Sequence, residues 1–341
     1  MPESQERKHH MTQPDYDPGP QIAYAGSIGL GTPDLEKSLW FFRDLLGMEV
    51  VEQVDGVAYL RGYQEHVHHS LVLTQQEEAV VNSYGFRVKR KQDVELFHKQ
   101  FENQGLRTVD ATGRERGRGE ALRFLVPGSE HPFEFYYDIE RPIAEESLRS
   151  KNLSNSSRRR GLGVRRLDHI NLQTSAATVN QAEGWLREEL GFKRREFARI
   201  PQAPDVIMAS WLSVTSQVHD IAIGVAAEDR PGQFHHVAFN VENFHDILTA
   251  ADQIRDLDIA YGAGPGKHGI GQAMYLYIHD PGSGHRIELY SGGYHIYDPD
   301  WDALEWKLPE LQLGQTWYGD VLDVGPGGSF LSTTPSAGLV P

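Results

Sequence analysis

The chain has 341 residues, a formal net charge of −15, 39% hydrophobic and 24% charged residues, and no cysteine. That composition fits a soluble globular protein long enough for two domains, and its acidity argues against nucleic acid or an anionic membrane as the main partner. The missing thiols exclude disulfides, thiolate metal sites, iron–sulfur clusters and cysteine nucleophiles, so sixteen histidines and the carboxylates are the available metal ligands.

Residues 1–20 are polar, without an apolar signal core, and read as a disordered arm on a cytoplasmic protein. No apolar run approaches the roughly 18 residues of a membrane span. A first unit follows over 21–145. Trp40–Met48 reads as an amphipathic helix stopped by Gly47 and followed by a strand. Tyr84–Val88 reads as a strand running into a helical stretch at Gln92–Gln104, and the turn Pro127-Gly128 precedes the strand His131–Tyr136. The polar, serine-rich stretch 146–160 is the natural linker.

A second unit over 161–296 repeats this order. Trp185–Phe192 matches Trp40–Met48, with Gly191 as the stop. Val237–Val241 matches Tyr84–Val88 and runs into a helix over Val241–Ile254. His285–Tyr290 follows Pro281-Gly282 as His131–Tyr136 follows Pro127-Gly128. The tail 297–341 carries Trp301, Trp306 and Trp317 and ends in a Gly/Ser/Pro-rich stretch. Trp306–Tyr318 is expected to pack on the second unit, and the last dozen residues are expected to be mobile.

Three apolar strands of the second unit each carry one potential ligand: His169 in Leu167–Asn171, His236 in Gln233–Asn240 and Glu288 in His285–Tyr290. A single histidine on an apolar strand is more often a satisfied polar residue than a ligand. Two imidazoles and a carboxylate from separate strands, however, make the facial triad of a non-haem Fe(II) oxygenase, with open positions for substrate and dioxygen. Glu288 lies between Ile287 and Leu289, where an unpaired carboxylate is costly, so it has to pair or bind a cation. Arg286 is read as pointing to the other face, which leaves a metal as the better partner. By strand alternation His235 faces away from its neighbour His236 and supports the site from the side. The duplication supplies an internal comparison. Ser27 stands where the second unit has His169 and Ser83 where it has His236, while Glu134 matches Glu288. The first unit therefore lacks a complete ligand set. His219, Trp211, Tyr277 and the loop Gly264–Gly269 with His268 add acid/base and hydrogen-bonding groups nearby.

Leu-Asp-His-Ile-Asn at 167–171, Val-His-Asp at 218–220, His-His-Val-Ala-Phe at 235–239, Gly-Pro-Gly-Lys-His-Gly at 264–269, Tyr-Leu-Tyr at 275–277 and His-Arg-Ile-Glu-Leu-Tyr at 285–290 are jointly specific. Over about 166–294 they resemble the catalytic half of the type I extradiol ring-cleaving dioxygenases of the vicinal oxygen chelate superfamily. The first unit resembles that family's non-catalytic half. The resemblance implies an α+β fold of two tandem domains, each built from paired βαβββ modules forming a cup-shaped mixed sheet. It implies His169, His236 and Glu288 as ligands of Fe(II), with Mn(II) as the other choice. It implies His219 as the acid/base residue, and His235, His268, Tyr277, Asn171 and Trp211 as groups that hold substrate, oxygen or the ligands, with His235 donating to a substrate or ligand oxygen. The implied reaction is extradiol cleavage of a catechol by O2 to a 2-hydroxymuconic-semialdehyde-type product, in aromatic catabolism, by a homotetramer. Members that act on homoprotocatechuate hold its carboxylate with arginines, whereas Ala263 and Gly314-Gln315 stand at the matching positions here, with Lys267 as the cation nearby. A neutral catechol, plain or bearing alkyl or halogen groups, is therefore expected. Homoprotocatechuate cleavage is one alternative. A non-oxygenase member of the superfamily (lyase, isomerase or binder of small aromatics) is the other.

Overall fold

The computed structural model describes residues 18–143, 146, 149–307, 310–319, 322–323 and 329–339. The strand–helix–three-strand order occurs four times. The first unit contains β1 (Ile22–Thr32), α1 (Leu35–Leu39), β2 (Glu49–Val54), β3 (Val57–Arg61) and β4 (Leu71–Gln75), then β5 (Val80–Val88), α2 (Asp93–Asn103), β6 (Thr108–Asp110), β7 (Ala121–Leu125) and β8 (Pro132–Tyr136). The second contains β9 (Arg166–Thr174), α3 (Val179–Glu188), β10 (Lys193–Ile200), β11 (Ala203–Ser213) and β12 (Ile221–Val225), then β13 (Gln233–Asn240), α4 (Phe244–Asp256), β14 (Tyr261–Lys267), β15 (Ala273–His279) and β16 (Arg286–Gly292). The expected α+β fold of paired βαβββ modules is the one observed.

Each unit forms one mixed sheet, ordered β2-β3-β4-β1-β5-β8-β7-β6 and β14-β15-β16-β13-β9-β12-β11-β10. Two modules meet at an antiparallel central pair, β1–β5 or β9–β13, and β4, β8, β12 and β16 run parallel to those centres. Every residue of β13 is buried although Gln233, His235, His236 and Asn240 are polar, so each of these has to find a partner inside the protein. Local signals set the helix ends. Asn243 and Asp246 form a capping box at α4, and Gly191 takes the positive φ that ends the α3 segment. The Trp40–Met48 expectation needs correction. The α-helix covers only Leu35–Leu39, and the chain continues as a π-helical turn over Trp40–Leu45, with Leu46 N–H donating to the Phe41 carbonyl at 2.9 Å. The wider turn lets the neighbours Phe41 and Phe42 both enter the core.

The two units share one apolar core. Phe42 meets Phe239 and Phe86 meets Phe192 across the boundary, in edge-to-face pairs. Polar staples reinforce it. His131 and His285, the matching histidines of the repeat, are fully buried, and each donates from Nε2 to a carbonyl of the other unit, Gln233 and Gly31 respectively, at 2.9 Å.

The tail adds β17 (Leu304–Glu305) alongside β10, α5 (Glu310–Gln315) and β18 (Thr334–Pro335) against β13. Trp306 donates to Glu196 at 2.5 Å and Leu311 packs by Ala198 and Ile270, whereas Trp317 and Tyr318 stay about half exposed. The tail end is not loose over 329–339. Besides the β18 pairing, Ser336 Oγ bonds Tyr84 Oη at 2.8 Å and the Ala337 amide donates to Val81 at 2.8 Å. Its backbone groups find partners on both units, which terminal position alone does not reveal. Most of the expected disordered arm, residues 1–17, lies outside the described residues.

Candidate active site

Strand register assembles the site. Ala238 of β13 pairs with His169 of β9 on one side and Glu288 of β16 on the other, so those side chains emerge on one face, and His236, two residues from Ala238, shares it. His169 Nε2 and Glu288 Oε2 are 3.0 Å apart, His236 Nε2 and Glu288 Oε2 3.1 Å, and the two imidazole nitrogens 3.4 Å. Donors at ~2.1 Å from one ion at right angles stand ~3.0 Å apart, so two of the three edges have the facial spacing and the third is slightly wider. Among the described residues this is the trio whose donor atoms converge in this way. Glu288 is 1% exposed and its Oε1 has no hydrogen-bond partner, with His268 Nε2 at 3.4 Å. A buried carboxylate oxygen without a donor is what a cation would satisfy. The donor set therefore fits a divalent ion.

The electrostatics agree. Burial works against charge on every member. For His169, hydrogen bonds to Asp168 and Glu288 outweigh it and raise the pKa to about 9. Burial likewise pushes the Glu288 pKa up, but the imidazoles of His169, His236 and His268 around its two oxygens hold it well below the usual carboxylate range. His236 is lowered to about 4, mainly by burial. The trio is thus a carboxylate that demands one positive charge at its centre, which either a proton on His169 or a metal supplies.

The structure corrects two readings of side-chain direction. The register of β13 against β9 steps from Phe234 to His236 opposite consecutive residues Leu172 and Asn171. His235 is therefore the extra residue of a β-bulge, alternation fails there, and both histidines border the same cavity. The expected donation from His235 to a substrate oxygen is not met. Its Nδ1 lies 2.6 Å from His236 Nδ1 and its Nε2 2.6 Å from the Phe330 carbonyl, so both ring nitrogens are engaged. Arg286 does not point away from Glu288 either, because residues two apart on a strand share a face. Its guanidinium instead donates to Ser332 O and Ser329 O at 2.9 and 3.0 Å.

The remaining expected residues converge on one cavity of 630 Å³ lined by His169, His236, Glu288, Asn171, Trp211, His219, His268 and Tyr277. The His219 ring lies 4.0 Å from that of His169, and its buried Nδ1 has no partner. His268 Nδ1 donates to the Gln315 carbonyl, which leaves Nε2 to accept from Tyr277 Oη at 3.1 Å. Burial, then Glu288, pushes the Tyr277 hydroxyl pKa well above the ordinary value, so it remains a donor. Among the described residues the lining contains no lysine or arginine. Lys267 lies outside it, its backbone tied to Trp317 and Tyr318.

Sequence reasoning missed three contributors. Asp168 Oδ1 holds His169 Nδ1 at 3.1 Å and is itself fixed by Arg166 at 2.8 Å, the carboxylate–imidazole support that steadies a ligand. Tyr290 lies 4.9 Å from the His169 ring and lines the cavity; its i+2 spacing from Glu288 was the available signal. Phe330 comes from the tail, and no sequence spacing announces it.

The first unit repeats the frame without the metal set. Gly85 pairs with Ser27 and Glu134 as Ala238 pairs with His169 and Glu288, so Ser27, Ser83 and Glu134 occupy the matching places. A guanidinium fills the centre: Arg118 donates to Ser27 Oγ and Glu134 Oε1 and reaches Glu115 at 2.5 Å. Arg118→Met should destabilise the fold by about 3–5 kcal/mol, because it removes the buried cation shared by Glu115 and Glu134 and leaves the two carboxylates to Arg123 and His69 alone, and should leave metal content per chain unchanged. Urea denaturation with metal analysis checks both.

Residues 24–128 and 166–289 match the family model described as Glyoxalase/Bleomycin resistance protein/Dioxygenase superfamily. The chain is 44% identical over 317 residues to a manganese-dependent 2,3-dihydroxybiphenyl 1,2-dioxygenase of Geobacillus genomosp. 3, covering 92% of this chain and 98% of that one. It is 34% identical to a metapyrocatechase of Geobacillus stearothermophilus, covering 87% and 90%. The chain belongs to the extradiol dioxygenases of this superfamily. Its fold superimposes on homoprotocatechuate 2,3-dioxygenase from Brevibacterium fuscum in complex with 3,4-dihydroxyphenylacetate, with a TM-score of 0.82, 30% identity and coverage of 94% and 95%. This extradiol dioxygenase is thus an oxidoreductase built from two tandem glyoxalase-type units. Among the described residues no helix is long and apolar enough to cross a membrane.

Proposed function

We propose that this enzyme uses O2 to cleave the ring of an uncharged, substituted catechol beside its diol, giving a 2-hydroxymuconic-semialdehyde-type product. In this reading residues 161–296 are the catalytic half, 21–145 the non-catalytic half, and His169, His236 and Glu288 hold Fe(II) or Mn(II). The observation that carries it is the three convergent donor atoms on the wall of a cavity that has no cationic side chain among the described residues. A bound divalent ion supplies Lewis acidity and a template for diol and dioxygen. Manganese is the metal to test first, because the 44% identical relative is manganese-dependent.

The chain's own groups supply proton handling and fit. His219 takes a catechol proton and returns it later. The site's other two non-ligand histidines, His235 and His268, each have a tautomer fixed by a backbone carbonyl, whereas His219 Nδ1 is unpartnered, so its ring is free to exchange protons. Tyr277, whose one hydroxyl hydrogen points to His268 Nε2, turns that hydrogen to the substrate oxygen when substrate binds. Trp211, Met208, Ile270, Leu311 and Phe330 form apolar walls, suited to a substituent as large as the second ring of 2,3-dihydroxybiphenyl, on which the 44% identical relative acts by name. The enzyme works in the cytoplasm as a homotetramer in this reading.

The test is oxygen uptake by manganese- or iron-loaded enzyme on catechol, 3-methylcatechol, 2,3-dihydroxybiphenyl and 3,4-dihydroxyphenylacetate. A substrate carboxylate buried without a cation costs several kcal/mol. kcat/KM for 3,4-dihydroxyphenylacetate should therefore fall about 10²-fold or more below the best neutral diol. Preference for the carboxylate-bearing substrate would remove the neutral-substrate reading, and no uptake with any diol would remove the oxygenase reading.

A further inference from the structure

Two short contacts connect the C-terminal segment to the candidate metal site. The Phe330 carbonyl lies 2.6 Å from His235 Nε2, and His235 Nδ1 lies 2.6 Å from His236 Nδ1. A carbonyl only accepts, so the hydrogen of the first contact is on His235 Nε2. A neutral imidazole has one N–H, which leaves His235 Nδ1 bare. The hydrogen of the second contact therefore sits on His236 Nδ1, and the His236 Nε2 lone pair faces Glu288 and His169. That is the one neutral tautomer able to ligate a cation in this place.

We propose that the C-terminal strap Ser329–Pro335 is part of the metal centre: acting through His235, the Phe330 carbonyl sets the tautomer of His236. This rests on the reading of His236 as a ligand. The strap is held where the relay needs it. Arg286, 3% exposed, donates to Ser332 O, Ser332 Oγ and Ser329 O at 2.8–3.0 Å, and its guanidinium lies 5.1 Å from the centre of the Phe330 ring. β18 pairs with Gln233 and Phe234, the two residues before the histidines. The first unit provides the contrast. The same bulge in β5 skips Asn82, which takes the place of His235 and bonds Gln76; there is no ligand histidine beside it to orient. His235 and Arg286 are thus positioning residues, and an otherwise unremarkable backbone carbonyl some ninety residues away in sequence acts on a ligand.

The experiment is Mn(II) titration of purified full-length enzyme and variants, with free Mn(II) read by its electron paramagnetic resonance signal and folding checked by circular dichroism. A chain ending at Tyr318 and the variant His235→Leu should each bind Mn(II) about 10–100-fold more weakly. His235→Asn, whose amide oxygen still accepts from His236 Nδ1, should recover most of the loss. If the shortened chain fails to fold, the His235 pair decides. Equal affinities of His235→Leu and His235→Asn, or a parental affinity in His235→Leu, would overturn the relay. His236→Ala is the control for the underlying reading: unchanged Mn(II) binding there would remove His236 as a ligand, whereas loss there with parental binding in His235→Leu would sink the relay alone.

Discussion

Glu288→Gln should abolish stable metal binding while leaving the fold intact. The substitution keeps the shape of the side chain and removes its charge. Two imidazoles would remain, at 3.4 Å from each other, with no anion to neutralise a divalent ion in a site where the carboxylate is 1% exposed. Breaking a buried charge pair by deleting one partner costs about 3–5 kcal/mol, which corresponds to ~10²–10³-fold in affinity. Metal content after gel filtration should fall from near one ion per chain to trace, and oxygen uptake should fall with it. The variant should fold, because Asp168 still holds His169 and the aligned backbones of β9, β13 and β16 do not depend on the carboxylate. Parental metal stoichiometry in Glu288→Gln would take Glu288 out of the ligand set.

His219→Ala separates catalysis from binding. His219 makes no hydrogen bond through Nδ1 and does not belong to the converging trio, although its ring lies 4.0 Å from His169. The variant should hold metal at the parental level and lose turnover by about 10²–10⁴-fold, the usual worth of a positioned acid/base group. Deleting the ring also opens space on the cavity wall, so added imidazole should restore part of the rate. That rescue distinguishes proton transfer from a packing role, which exogenous imidazole would not replace. Turnover equal to the parent's would assign the proton work elsewhere.

The success of the residue reading has a simple basis. Strand side chains repeat with period two, and a duplicated module carries its own comparison. Ser27 against His169, Ser83 against His236 and Glu134 against Glu288 were aligned from the sequence, and the backbone pairings of Gly85 and Ala238 place them at the same positions. The readings that failed broke that period or miscounted it. The bulge at His235 adds one residue and turns it toward its neighbour. Arg286 was assigned to the wrong face although it is two residues from Glu288. The π-helical turn after Leu39 interrupts a helix whose pattern looked regular. The guanidinium of Arg118 at the centre of the first unit was invisible, because nothing in sequence spacing ties it to Ser27, ninety-one residues earlier.

The βαβββ plan and the want of the arginines that hold a substrate carboxylate came with the family resemblance, whereas the sequence by itself carried the repeated order of helices and strands and the three candidate donors. These are properties of residue type and local period, which survive without knowledge of the fold. Only the tertiary structure decided which groups fix each imidazole, since a tautomer depends on the partner of the second ring nitrogen. Those partners (Asp168 for His169, Phe330 by way of His235 for His236, Gln315 for His268) come from a strand neighbour and from a tail that folds back. Long-range closure of the chain sets the protons of His236 and His268, while the adjacent Asp168 sets that of His169.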